Sequence, residues 1–156
     1  MKKINLKLTS QNFLKNEFEI EKFEINNELK DNWLVINVNS VASFIKSFFK
    51  VTFPNKQVRY LLLDNVFIDY QNDTISIKYN DELVFYKSDE SQVELLKENS
   101  QKIKVLKQEL KLRKAELELN INKLAEFYIS DITKELFKLE AIENFALIKD
   151  EEIWKR

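Results

Sequence analysis

The sequence lacks glycine, histidine and cysteine entirely, and its only proline is Pro54. Without glycine, the chain cannot form the phosphate-binding loops or dinucleotide fingerprints that depend on glycine's backbone freedom. Without histidine and cysteine, it cannot form Ser-His or Cys-His catalytic pairs, zinc sites with His or Cys ligands, or disulfides. These absences predict a protein that is not an enzyme and that holds no cofactor or metal ion.

The composition is that of a chain able to fold without cross-links. Its 156 residues are 44% hydrophobic, with 12 Phe, 5 Tyr and 2 Trp, which is enough for a packed core. The net charge of −1 gives no overall attraction to nucleic acid or to an anionic membrane. Because no apolar run has the length of a membrane span or a signal peptide, we expect a cytoplasmic protein without a membrane partner. The excess of Lys over Arg is typical of an AT-rich genome, and the missing glycine indicates a small gene of the sort carried by phages and plasmids, that is, by mobile genetic elements.

The residues before position 88 alternate between apolar and polar side chains, which is typical of strands. Asn and Asp residues separate the segments, and we expect them to occupy positive-φ turn positions in place of glycine. Residues 33–38 are apolar on both faces, which predicts a central strand. We therefore predict an antiparallel sheet domain over residues 1–88 that ends in a meander, with strands near residues 4–8, 18–20, 23–25, 33–38, 58–63, 66–70, 74–79 and 83–87.

One segment of this domain has helical periodicity instead. Val41, Phe44, Ile45 and Phe48 follow the i, i+3, i+4, i+7 spacing of a buried helix face. The polar residues at positions 39–40 are placed to cap the N-terminus of such a helix. We predict one helix packed on the sheet, and hence an α+β fold.

Residues 89–156 form a second predicted domain, rich in Leu, Lys and Glu. Ser91 and Glu94 match the Ser-x-x-Glu capping box that starts helices. No breaking residue follows before about residue 127, and a second helix is predicted at residues 131–148. We expect these two helices to form a coiled-coil-like hairpin, an arm beyond the sheet.

The first of these helices carries apolar residues at strict seven-residue spacing, which requires left-handed supercoiling around a partner. These positions, with Leu106 on the companion heptad position, define a predicted interaction seam. A second apolar stripe lies more than about 100° around the helix, so two neighbours are expected. The seam contacts either the second helix of the same chain or another protein, a second copy included. The seam comprises Leu96, Ile103, Leu106, Leu110, Leu117 and Leu124, and the second stripe comprises Val105, Leu112 and Leu119.

Lysines occupy a third face of the same helix. Their spacing of 7, 3, 4 and 3 residues places all five on one side, in a position to contact successive phosphates of a nucleic acid. A charged helix face is more often simply solvated, and no aromatic residue is interleaved here to stack on bases. Nucleic-acid binding is therefore the alternative function, with Lys97, Lys104, Lys107, Lys111 and Lys114 as the phosphate contacts.

The acidic residues of the sheet domain raise a third hypothesis, a hydrolase with Mg²⁺, Mn²⁺ or Ca²⁺ held by carboxylates. Ser76 stands where a nuclease-type set with Lys78 would need an acid. Most of the acids also fall at predicted turns, which Asp favours for its backbone conformation. We therefore interpret Asp64, Asp69, Asp73, Asp81 and Glu82 mainly as turn residues.

The sequence thus favours a non-enzymatic interaction or assembly protein that works through its long helix. It is expected to act as a homo-oligomer or as a subunit, adaptor or inhibitor in a larger complex. The expected partner is therefore a protein or a second copy of the chain, with nucleic acid as the alternative.

Overall fold

The computed structural model describes residues 2–80 and 82–155. Within these residues the fold is α+β, with nine strands in one sheet and two α-helices. The chain forms two units. The sheet unit runs from the first strand to Ser88 and takes up the chain again from Ile148 onward, and the helical unit is Asp89–Leu147. Residues 148–155 therefore group with the sheet, whereas the second predicted domain comprises residues 89–156.

The sheet is mixed, so the expectation of a purely antiparallel sheet is wrong. The strand order is β2-β1-β7-β6-β5-β3-β4, and β8 pairs with β6 and β9. β1 runs parallel to β7, with Leu6 opposite Ile75, while the other registered pairs are antiparallel. The strands are β1 Ile4–Ser10, β2 Lys15–Ile20, β3 Lys22–Asn26, β4 Leu34–Val35, β5 Ser40–Thr52, β6 Val58–Gln71, β7 Thr74–Asn80, β8 Phe85–Ser88 and β9 Leu147–Lys149.

The predicted helix around residues 41–48 is wrong, because this segment lies inside β5. The strand pairs with β6 along its length, from Ser40 opposite Tyr70 to Thr52 opposite Val58. Half of the residues in segment 41–48, namely Val41, Phe44, Ile45 and Phe48, are β-branched or aromatic, and such residues favour strands. As a result Val41 and Ile45, predicted to be buried, are exposed side chains.

Two further strand predictions are wrong in detail. Residues 33–38 do not form a central strand, since only β4 forms there, with Leu34 and Val35 exposed. The predicted strands at residues 58–63 and 66–70 are one strand, β6, which pairs with both β7 and β8, so the end of the domain is not a simple meander. Asn65 has φ 48° and lies where the β6–β7 register shifts, so it sits at an irregularity within a strand and not in a turn.

The core of the sheet unit is built from every second residue of its strands, because alternate side chains point to one face. It extends to the C-terminal segment, which packs on the sheet through Ile153. Trp154 lies edge-on to Phe85, with ring centroids 5.6 Å apart. The segment is also fixed by an ion pair of 2.5 Å between Arg59 Nε and Asp150 Oδ2. Core side chains from the central strands include Leu6, Leu8, Ile68, Tyr70, Ile75 and Ile77.

The helical unit contains α1 Val93–Glu118 and α2 Ala125–Phe145. The prediction of an unbroken helix to about residue 127 is wrong, because Asn120 adopts φ 54° and ends α1. Asn120 N–H donates to Leu117 O and Ile121 N–H donates to Glu116 O, a hydrogen-bond pattern that closes a helix C-terminus.

The predicted capping box does not form. Gln92 occupies the N-cap of α1 without a side-chain cap, and the Ser91 hydroxyl donates to the Asp89 carboxylate instead.

α1 packs against α2 through a small apolar cluster. Ile103 of α1 meets Ile132, Leu136 and Leu139 of α2, with Leu106 and Leu110 partly buried at its margin. Asn99 is buried beside this cluster, and its amide donates to Leu139 O at 2.8 Å. Contacts near residue 99 therefore involve the end of α2, while Arg113 contacts Tyr128 near its start, so the two helices are antiparallel.

Candidate interaction surfaces

The predicted seam of α1 is divided between buried and exposed positions. Ile103 is buried against α2, and Leu106 and Leu110 pack at the edge of the same cluster. Leu96 is half-buried. Leu117 and Leu124 are exposed, and Leu124 lies beyond the end of α1. The seven-residue repeat is therefore not continued on one helix over its whole length.

The second apolar stripe faces outward. Val105, Leu112 and Leu119 are all exposed, with Leu119 at 70%. Val105 and Leu112 lie outside the cluster that joins α1 to α2. These side chains are thus available on the surface of the helical unit.

The connection between the helices carries the densest group of exposed apolar side chains in the helical unit. Ile121 is 71% exposed and Phe127 is 69% exposed. We call this group, which includes one end of each helix, the apolar junction. It comprises Leu117, Leu119, Ile121, Leu124, Phe127 and Tyr128.

Polar contacts hold the apolar junction in place. The Asn122 side chain accepts a hydrogen bond from Leu124 N–H at 2.9 Å and donates to Glu116. Arg113 lies over the Tyr128 ring at 4.5 Å and pairs with Glu116 at 3.1 Å. The hydrogen bond from Arg113 to Glu116 raises the pKa of the guanidinium, so this cation stays charged. The outward apolar side chains are therefore presented by a fixed turn.

The lysine face of α1 is solvent-exposed along its length. Lys107 pairs with Glu140 of α2 at 3.6 Å. The other lysines of this face form no ion pair with any residue that the structure describes, and they are Lys97, Lys104, Lys111 and Lys114.

The acidic residues of the sheet unit are dispersed. Asp73 pairs with Lys2 at 3.2 Å, and Asp69 lies opposite Ser76 in the sheet. Asp64 is opposite Asn80, whereas Asp81 lies outside the described residues. In the part of the chain that the structure describes, no three acidic side chains are grouped in a way that could hold a metal ion.

The sheet unit also carries a cleft that no pattern in the sequence predicted. Its lining includes Phe13, Lys15, Phe67 and Lys78, which come from three strands and one turn. A local signal was present at one position, because Phe13 stands in a polar segment between two strands. The others are brought together only by the pairing of distant strands.

No helix in residues 2–80 and 82–155 combines the length and apolar character needed to cross a membrane.

The chain is an α+β protein with a mixed sheet. Its two helices come between β8 and β9 in the sequence. A family model described as the UU051 N-terminal domain matches residues 3–84, just over half of the 156 residues, and the chain belongs to this family. The match covers β1 to β7, while the helical unit lies outside it. None of the curated proteins matches the chain.

Proposed function

We propose that this chain is a non-enzymatic interaction protein that assembles through its helical unit. The apolar junction is the observation that carries the proposal, because six apolar side chains are exposed within a short stretch of chain. Soluble proteins rarely expose contiguous apolar surface without a use for it, and such patches mark interaction sites.

The free energy gained by burying the apolar junction favours assembly. Burying one large apolar side chain completely stabilises an interface by about 1.5–3 kcal/mol. Phe127 is the expected anchor, since aromatic residues at the centre of an interface contribute most of the binding energy. The fixed turn favours binding as well, because a surface that is already ordered loses little conformational entropy when a partner docks.

A second copy of the chain is the partner proposed first. Val105, Leu112 and Leu119 repeat every seven residues, the spacing that a helix from another molecule needs for supercoiled packing. A two-fold axis would set the same stripe of each copy against the other. In this arrangement α1 and α2 form a coiled-coil-like hairpin, and its outer stripe and apolar junction form the contact.

Light scattering across a concentration series tests this proposal. We expect the wild-type chain to self-associate, and Ile121→Ser with Phe127→Ser to weaken association by about 2–4 kcal/mol, or roughly 30- to 700-fold. The matched control is Val41→Thr with Ile45→Thr, which removes two equally exposed apolar side chains from β5. A monomer at every concentration, or equal weakening by the control, would contradict self-assembly through the helical unit.

A second candidate function is nucleic-acid binding by the lysine face of α1. The observation in its favour is that four lysines on that face are exposed and lack an ion-pair partner among the described residues. Binding that weakens with salt and drops in the variant Lys104→Glu, Lys107→Glu, Lys111→Glu would support this function. Unchanged binding in that variant would exclude the lysine face.

A further inference from the structure

Four side chains form a row across the outer face of the sheet unit. Phe67 of β6 lies opposite Lys78 of β7, Lys78 lies opposite Thr9 of β1, and Thr9 lies opposite Lys15 of β2. Directly opposed residues point to the same face, and their neighbours Ile68, Ile77 and Leu8 are buried on the other face. Three inter-strand spacings make the row about 14 Å long. The order is aromatic, cation, hydroxyl, cation.

This row forms one side of a cleft of about 480 Å³, a volume typical of ligand sites. The β1–β2 turn and the end of β7 also line the cleft. Among the described lining residues there are two lysines and no carboxylate. Neither Lys15 nor Lys78 forms an ion pair with any residue that the structure describes, so both charges are available to an anion.

Phe13 is held at the cleft in an unfavourable backbone conformation. Its φ is 64°, in the left-handed region that costs a residue with a Cβ about 1–2 kcal/mol. The turn is fixed by Ser10, whose carbonyl accepts from Phe13 N–H at 2.9 Å and whose hydroxyl accepts from Leu14 N–H at 3.0 Å. The ring is nevertheless 82% exposed, so it gains little from burial in the folded chain. Strain of this kind, at a side chain that gains little from burial, is typical of functional positions.

Phe67 also lies beside an irregular backbone position. Asn65, with φ 48°, lies where the β6–β7 register shifts between Asp64 and Phe67. Irregularities of this kind re-aim side chains beside binding sites. The Phe67 ring is 46% exposed and lines the same cleft as Phe13.

We propose that this cleft binds single-stranded nucleic acid, with Phe13 and Phe67 stacking on bases and Lys15 and Lys78 contacting phosphates. Aromatic side chains beside a cationic groove are the combination by which proteins bind single strands without sequence preference. The row is longer than one nucleotide, which favours a strand over a free nucleotide.

The neighbouring row of the sheet is less suited to a phosphate backbone. It runs from Asp69 through Ser76 and Lys7 to Glu17, and Lys7 is paired with Glu17 at 4.0 Å. Asp69 therefore leaves this row with a net negative charge, whereas the row of Lys78 and Lys15 carries two cations and no carboxylate. The phosphate backbone is accordingly expected along the row of Lys78 and Lys15.

Fluorescence anisotropy with the full chain and a labelled oligothymidylate of about 12 nucleotides tests the proposal. Phe13→Asn is the main variant, because Asn tolerates positive φ better than Phe and the variant should fold at least as well. We expect it to bind roughly 5- to 150-fold more weakly, the effect of removing one stacked base, while its melting temperature stays equal or rises.

A charge variant tests the phosphate contacts separately. Lys15→Gln with Lys78→Gln should make the plot of log binding constant against log salt less steep. The magnitude of its negative slope should fall by about 1.4, or about 0.7 for each lost contact. Lys102→Gln with Lys123→Gln is the control, because these two exposed lysines of the helical unit lie outside the cleft and change the net charge equally, so binding should be unchanged. Because these two lysines belong neither to the cleft nor to the lysine face, the control measures the effect of net charge alone.

Five results would overturn the proposal. The first four are no binding by the wild type at low salt, unchanged binding by Phe13→Asn, an equal loss in the Lys102 and Lys123 control, and equal affinity for duplex DNA of the same length. Thymidine monophosphate that displaces the oligonucleotide at equal concentration would show a mononucleotide site, which contradicts the single strand as ligand. Self-association through the helical unit is measured separately, so failure of either proposal is recognised on its own.

Discussion

The sheet unit buries most of its large apolar side chains, with Phe13 and Phe67 among the exceptions, whereas the helical unit leaves many of its own on the surface. The largest fully buried side chains all belong to strands of the sheet unit, and Phe23, Phe49 and Phe85 are among them. In the helical unit the buried apolar cluster consists of Ile103, Ile132, Leu136 and Leu139, with two partly buried leucines beside it. The contrast indicates that the sheet unit holds itself together, while the helical unit has apolar surface to offer a partner.

The two units also differ in how their contacts are distributed along the sequence. β1 pairs with β7, and Arg59 pairs with Asp150, so the sheet unit forms only when distant segments meet. The helical unit depends on hydrogen bonds within each helix and on one short interhelical cluster. We therefore expect it to open locally at a lower free energy than the sheet.

The largest effect is expected from Phe49→Ala, which removes a fully buried ring from the core of the sheet unit. Cavity formation and lost burial should lower the free energy of unfolding by about 3–5 kcal/mol. Urea denaturation measures it. Phe67→Ala is the control, since that ring is half-exposed, and its expected effect is below about 1 kcal/mol. Equal effects would contradict the assignment of Phe49 to the core.

Leu136→Ala tests the independence of the helical unit. Removing this side chain from the small α1–α2 cluster should destabilise that unit by about 2–4 kcal/mol. Amide hydrogen exchange should show faster exchange in α1 and α2, with the strands of the sheet unit unchanged. Leu95→Ala, at an exposed position of α1 outside the second stripe, should change exchange little. Equal acceleration across the sheet would mean that the two units unfold together.

Asp150→Asn breaks the ion pair that fixes the C-terminal segment to the sheet unit. Burial acts to raise the pKa of Asp150, but the hydrogen bond and charge of Arg59 outweigh it, and the pKa is lowered from 3.8. We expect a loss of about 1.5–3 kcal/mol at neutral pH, the value of a hydrogen bond to a charged group.

The pH dependence of that loss follows from the lowered pKa. The contribution of Asp150 is present above the unfolded pKa of 3.8 and disappears as the pH falls through the lower folded pKa. Wild type and Asp150→Asn should therefore converge in stability below about pH 4. Glu151→Gln is the control, because Glu151 is exposed. A difference that persisted undiminished in acid would contradict the role of the ionised carboxylate.

The smallest effect is expected from Asn99→Ala, which removes the buried hydrogen bond to Leu139 O. The loss should be about 1 kcal/mol, detected as faster amide exchange confined to α1 and α2. Gln101→Ala, two residues away and exposed, should have no measurable effect. A gain of stability in Asn99→Ala would show that the buried amide is retained for helix register and not for stability.

Local patterns predicted the elements in which one periodicity dominates. Alternation at residues 4–8 and 74–79 predicted β1 and β7, and Asn72 adopts positive φ in the turn between β6 and β7, as expected of Asn in a chain without glycine. Prediction was wrong where two periodicities overlap. Residues 41–48 satisfy helical spacing, but pairing with β6 stabilises the strand, and tertiary pairing outweighs weak helix propensity.

The candidate surfaces divide in the same way. The lysine face and the second stripe of α1 follow from helical spacing alone, because residues on one face of a helix are set by local geometry. The apolar junction does not follow from helical spacing, because it depends on the end of α1 at Asn120, and the sequence predicted an unbroken helix there. The cleft of Phe13, Lys15, Phe67 and Lys78 requires the register of four strands, which no local pattern contains.

The sequence by itself determined the chemistry that is absent and the local periodicities. It excludes histidine, cysteine and glycine-dependent sites, and it predicts strands before residue 88 and helices after it, because residue types and short-range spacing act locally. Only the tertiary structure decided the parallel pairing of β1 with β7, the strand state of residues 41–48 and the row from Phe67 to Lys15. The physical reason is that strand register is fixed by side chains and hydrogen bonds from distant parts of the chain, which compete only once the chain has folded.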